Sequence, residues 1–159
     1  MNSITRGVAT AGLFLLVSGC AQLPAVGSNS ADKPAPADTR LCAKNFAVSG
    51  SALSLGGTTY TSSVTVAGVS KATAMTKASK QIAQDGLTIT TMDREGGMIA
   101  AANKVIAGKG DTVPLVVTFE PAKGGLEVRM TFRNGFGQVT TEEVVRNGFC
   151  GIVAAIEKK

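Results

Sequence analysis

Histidine is absent from the chain, which removes the common general base, the common zinc ligand and every Ser-His or Cys-His triad. Few other groups could do chemistry. Asp93 and Glu95 could form a carboxylate pair for acid–base work, but they flank Arg94 just before Gly96-Gly97, where turn chemistry and solvated charge account for them. Asp111 follows Gly110 and could donate to a cation, yet too few oxygen donors surround it for a calcium loop. Gly108-x-Gly110 and Gly135-x-Gly137 carry neither a third glycine nor a Gly-Lys-Ser/Thr ending, so neither is a phosphate loop and turns explain both. The sequence assigns no catalytic residue, metal site or cofactor, although enzymes built on Ser-Lys dyads or carboxylate pairs need no histidine.

Three cysteines remain to be explained: Cys20, Cys42 and Cys150. Cys20 closes the stretch Val17-Ser18-Gly19-Cys20, preceded by Arg6 and by a run from Val8 to Val17 that is apolar except for Thr10 and Gly12. The run is too short to span a bilayer, which needs roughly 20 apolar residues. The stretch resembles the lipobox of bacterial lipoproteins. In that family an aliphatic residue stands three before a cysteine, more often leucine than the valine found here. Small residues fill the next two places, and the cysteine is acylated and becomes the mature N-terminus.

The resemblance implies cleavage between Gly19 and Cys20 and lipidation of Cys20. Several acyl chains then hold the protein on a membrane, where one chain would bind only marginally. Ala21 stands where the family's inner-membrane retention signal places Asp, so the implied address is the outer membrane with the domain in the periplasm. With Cys20 committed to lipid, Cys42 and Cys150 are an even pair in an oxidising compartment and are expected to form a disulfide. The alternative is two buried free thiols. A redox-active pair is disfavoured because no Cys-x-x-Cys occurs.

The organisation follows in three parts. The resemblance makes residues 1–19 the expected signal peptide and Cys20 the expected acylated residue at the head of a Pro/Ala/Ser linker over residues 20–40, and the patterning of residues 41–159 predicts a single α+β domain. A flexible linker of this length has a root-mean-square reach of about 25 Å. The net charge of +5 is scattered, with no Lys/Arg run of the kind nucleic acid requires, and export argues against that partner too.

Within the domain, Phe46 and Val48, then Leu53 and Leu55, alternate ahead of Gly56-Gly57, and Thr59 to Ala67 follows as a β-branched run. This spacing predicts a strand pair around a Gly-Gly turn. From Lys71 the period becomes helical, with Ala72, Met75, Ser79, Ile82 and Ala83 on one stripe, Ser70 as N-cap, Gly86 as left-handed C-cap, and Lys71, Lys77 and Lys80 on the wet face. Four strands are predicted next: Leu87 to Thr91, Met98 to Ile106, one around Leu115, Val117 and Phe119, and one in which Leu126, Val128, Met130 and Phe132 alternate with Glu127, Arg129, Thr131 and Arg133. The short loops between them imply an antiparallel meander. A final helix carries Val145, Phe149, Ile152 and Ile156, with Thr140 and Glu143 at capping-box spacing. Gly148 and Gly151 inside it suggest that something packs closely there.

The resulting order predicts a two-layer antiparallel sheet of about five to six strands with two helices, similar to the helix-grip class. Asp85-Gly86-Leu87-Thr88-Ile89, Asp93 and Gly97-Met98-Ile99-Ala100-Ala101 also resemble a phrase in the small domains of the C lipoprotein of the outer-membrane β-barrel assembly machinery. That resemblance implies a fold and no activity.

Arg129 and Arg133 share a wet strand face and are candidates for contact with lipid phosphate or an acidic partner, though such a face carries charge in any case. Phe136, in a glycine-flanked loop, is the best single candidate for a partner contact, the alternative being closure of the core. The expectation is a non-enzymatic, membrane-anchored envelope lipoprotein that binds or scaffolds another envelope component. Its alternative is a carrier of a small apolar ligand or lipid in a groove between sheet and helix. A cell-wall hydrolase or an inhibitor of one stands third.

Overall fold

Strict alternation over residues 125–134 sends Leu126, Val128 and Met130 into the core and leaves Arg129 and Arg133 in solvent, and the rest of the sheet is built outward from that strand. The computed structural model describes residues 38–104, 112–135 and 137–158. The elements run α1 (Leu41–Lys44), β1 (Ala47–Gly50), β2 (Thr58–Val66), α2 (Lys71–Gln84), β3 (Thr88–Asp93), β4 (Met98–Lys104), β5 (Thr112–Ala122), β6 (Gly125–Asn134) and α3 (Glu142–Glu157). The six strands form a single antiparallel sheet in the order β1-β2-β6-β5-β4-β3. The predicted strand pair and four-strand meander are both present, and α1 is an additional single helical turn.

Register aligns one apolar face across the sheet. Val64 pairs with Val128, which pairs with Phe119, and Ile99 pairs with Val117, which pairs with Met130. All of these are buried, and α2 and α3 cover them with Met75, Ile82, Phe149, Ile152 and Ile156. The other face carries small and hydroxylated side chains, among them Thr59, Thr61, Ser63, Thr118, Ala100 and Ala102.

The helix boundaries follow from local chemistry. Ser70 Oγ accepts from Thr73 N at 3.2 Å to start α2. At its end Gly86 takes φ +82°, Gly86 N donates to Ala83 O, and Leu87 N donates to Ile82 O, the paired bonds of a Schellman stop. The buried stripe of α2 differs from the predicted one: it is Ala74, Met75, Ala78 and Ile82, while Ala72 and Ala83 are exposed and Ser79 is half-buried. Helix and sheet meet on alanines one or two positions away, a shift that alternating small residues do not betray. Of the three lysines assigned to the wet face, only Lys80 is exposed, and Lys71 and Lys77 are half-buried. Lys71 Nζ donates to Glu95 O at 2.6 Å, and Lys77 Nζ donates to Ile156 O at 3.2 Å and to Lys158 O.

Helix α3 is capped by Thr141, whose Oγ1 accepts from Val144 N at 3.4 Å. The expected Thr140–Glu143 box is therefore displaced by one residue, and no acidic residue stands at the matching N3 position. β1 also ends earlier than its alternation suggests. Gly50 turns the chain at φ +79°, and Leu53 and Leu55 lie in the connecting loop, 85% and 95% exposed.

Cys42 and Cys150 are joined by a disulfide, with Cα atoms 5.3 Å apart across 108 positions of sequence. It fastens α1 to the middle of α3, and Ser62 Oγ donates to Cys42 O at 2.8 Å, holding the same turn to β2.

Candidate functional site

The apolar faces of α3 and the sheet part near one end of the sheet and leave a half-open groove of about 470 Å³. Leu115 of β5 and Phe132 of β6 line it from the sheet, Val145, Phe149 and Ile152 from α3, and Leu87 from the corner between α2 and β3. Asp85, Asn103, Thr140 and Asn147 supply its polar edge, and Val144, 63% exposed, its apolar lip. The volume lies inside the range of roughly 300 to 1,000 Å³ typical of small-molecule sites.

An aromatic cluster fixes the wall. The rings of Phe46 and Phe149 stand 5.9 Å apart at 60°, Phe46 and Tyr60 are 6.0 Å apart, and Tyr60 and Phe132 are 6.2 Å apart. The Arg146 guanidinium lies 5.1 Å from the Phe46 ring centroid, a cation–π distance. Tyr60 OH donates to Thr140 O at 3.3 Å. Burial, with a smaller contribution from the Glu142 carboxylate, raises the Tyr60 phenol above its usual range, so it remains a neutral donor. This end also carries Asn134, 2% exposed, whose Nδ2 has no partner among the described residues.

Gly148 lies in the groove wall, and a Cβ added there would meet nothing within 4 Å; at Gly151 only Gln81 Nε2 stands near, at 3.7 Å. Close packing is thus not the reason for these two glycines, contrary to the expectation. Gly148 instead leaves space in the groove. It was the one trace of the groove's position visible in sequence, and it pointed to the opposite conclusion. Val144, Asn147 and Asn103 left no trace there, because α3, β4, β5, β6 and the α2–β3 corner must all be assembled before the groove exists.

The residues singled out from sequence do not converge on it. Arg129 and Arg133 do share the wet face of β6, but Arg129 Nη2 is paired with Glu127 Oε1 at 3.0 Å and Arg133 Nε donates weakly to Thr59 Oγ1 at 3.4 Å. They stand four positions apart, about 13 Å along a strand. They form two separate positions, with one charge already balanced. Gly19, Cys20, Asp111 and Phe136 lie outside the described residues. Asp93 is a turn residue, its Oδ1 accepting from Glu95 N at 3.1 Å and Gly96 N at 2.9 Å.

Among the described residues no group of three or more His, Cys, Asp or Glu side chains is placed to hold a metal ion, and no helix is long and apolar enough to cross a membrane. No protein-family model matches the chain, and no curated protein does either. The reading of the site therefore rests on its geometry.

Proposed function

We propose that this chain is a non-enzymatic, membrane-anchored envelope lipoprotein whose domain binds an apolar element of another envelope component in the groove between α3 and the sheet. The observation that carries the reading is the groove itself, with an apolar lining, a polar edge and an exposed Val144 at its lip. Val17-Ser18-Gly19-Cys20 supports the anchor. The Cys42–Cys150 bond supports export, since such bonds persist in oxidising compartments. The groove is half open, which suits a side chain or chain segment presented by a larger partner.

A photo-crosslinking residue in place of Asn147, on the groove edge, tests this in intact cells. The expected result is an adduct with a defined envelope protein that disappears in a Cys20→Ser chain. Adducts no different from those of a probe at Lys80, on the far side of α2, would sink the reading.

The groove volume favours a second reading, a carrier of a small apolar ligand or lipid. Native mass spectrometry separates the two. A carrier retains a stoichiometric lipid through purification, and a docking groove does not.

A further inference from the structure

Every large apolar side chain that is exposed among the described residues belongs to one of two stretches: Leu41, Val48, Leu53 and Leu55 in the first, Val139 and Val144 in the second. These stretches are neighbours in space. Gly137 N donates to Ala52 O at 3.0 Å, joining the loop after β1 to the loop after β6. Arg40 Nη2 donates to Asn147 Oδ1 at 2.7 Å, and the disulfide secures Cys42 beside them.

Three properties of this end identify its occupant. Neither residues 45–57 nor residues 134–141 include a charged side chain. The loop 51–57 also closes on itself through Ser54. Ser54 N donates to Ser51 O, Gly57 N donates to Ser54 O, and Ser54 Oγ donates to Ser51 O and reaches Gly57 O. An uncharged turn that projects two leucines, 85% and 95% exposed, can set those side chains at the headgroup and acyl boundary of a bilayer, where water still reaches the backbone groups of the turn that have no internal partner.

The third property is where the rest of the chain attaches. On the lipoprotein reading, residues 20–37, headed by the acylated Cys20, join at Asp38. There Arg40 holds on to Asn147, about 8 Å along α3 from its first residue. At no more than about 3.5 Å per residue, so short a connection keeps this half of the domain at high local concentration over the membrane that holds the anchor.

We infer that the 51–57 loop is a membrane-docking element that inserts Leu53 and Leu55 into the surface of the anchoring phospholipid bilayer, with Val139 beside them. The inference rests on the lipoprotein reading and goes beyond it. The anchor fixes where the molecule is, and the loop fixes which end faces the lipid.

The test uses the full acylated chain in phosphatidylethanolamine–phosphatidylglycerol vesicles, with an environment-sensitive dye attached through Ser51→Cys and, as a control at the opposite end, through Arg94→Cys. The expected result is a blue shift and quenching by nitroxide-labelled lipid at position 51, neither at position 94, and loss of both when Leu53→Asn and Leu55→Asn are added. If the chain floats with vesicles while position 51 behaves like position 94, the inference is overturned and the anchor stands. If the chain does not float, both fall. A dye at position 51 that stays aqueous on vesicles and is shielded only in whole envelopes assigns the loop to a protein partner and overturns the lipid assignment.

Discussion

The two ends of the sheet close their connections by different means. At the end bearing the β3–β4 and β5–β6 turns, charged residues do the work: Asp93 Oδ1 accepts two backbone N–H groups, Lys71 Nζ donates to Glu95 O, and Arg94 and Lys123 stand in solvent. At the end bearing loops 51–57 and 135–140, backbone groups, Ser54 and Gln138 make the equivalent bonds, the last accepting from Gly135 N at 2.7 Å. Both ends close their described turns with hydrogen bonds. Closing them does not require two leucines in the open, and on the docking proposed above Leu53 and Leu55 answer to a requirement outside the fold.

The contrast can be broken at several points. The strap gives the largest effect. Cys42→Ser with Cys150→Ser removes a closure across 108 positions, for which chain entropy gives an upper figure of about 4 to 5 kcal/mol. Urea unfolding under non-oxidising conditions measures it. Hydrogen exchange should rise first in α1 and β1, while β3 and β4 keep their protection.

Glycines at the two ends should differ next. A Cβ at Gly57 would sit 1.9 Å from Asn134 O with φ at +68°, whereas at Gly124, φ +97°, it would meet nothing within 4 Å. Gly57→Ala is expected to cost about 3 kcal/mol, and Gly124→Ala about 1 kcal/mol for conformation alone. Equal losses in thermal unfolding would show that the close approach at Gly57 does not hold the loop.

Gly148→Ala runs the other way. Its new Cβ enters free space in the groove, so the helix gains about 1 kcal/mol while crosslinking from position 147 weakens. A gain in stability with undiminished crosslinking would remove the groove from the reading. Smaller still is Leu53→Asn with Leu55→Asn. Side chains this exposed contribute little to folding, and stability should stay within about 0.5 kcal/mol while vesicle contact is lost.

The smallest effect concerns Asp38. The Arg40 side chain, donating from Nε at 2.9 Å, holds its carboxyl down at about 2. The charged form is the one favoured in the folded chain. Any contribution from this pair is therefore complete above the ordinary carboxylate pKa and fades as pH falls through about 2. Carboxyl NMR should find the midpoint near 2, and Asn147→Ala should leave it there.

The strands and caps were legible in sequence where one local rule dominated. Alternation in β6, β-branching in β2, and Ser70 and Gly86 around α2 each act through near neighbours, and each matches the structure. The disulfide was legible from the number of cysteines left after Cys20 is set aside. Leu53 and Leu55 misled because alternation is also what two residues on one side of a loop produce, and only the positive φ of Gly50 separates the cases. Thr140 and Thr141 offer the same capping oxygen one place apart, and the approach of the chain chooses between them. A groove between sheet and helix followed from the order of elements, but its position and lining were not legible, being empty space between elements distant in sequence.

The sulfur bridge has a mechanical consequence. Tension applied ahead of Asp38 passes through α1 to Cys42 and crosses by a covalent link into the second half of α3, whose apolar flank is locked into the core. β1 lies behind that junction at the margin of the sheet, where hydrogen bonds pulled in series would open one after another. A pull on the chain ahead of Asp38 is thus shunted past the strand least able to resist it.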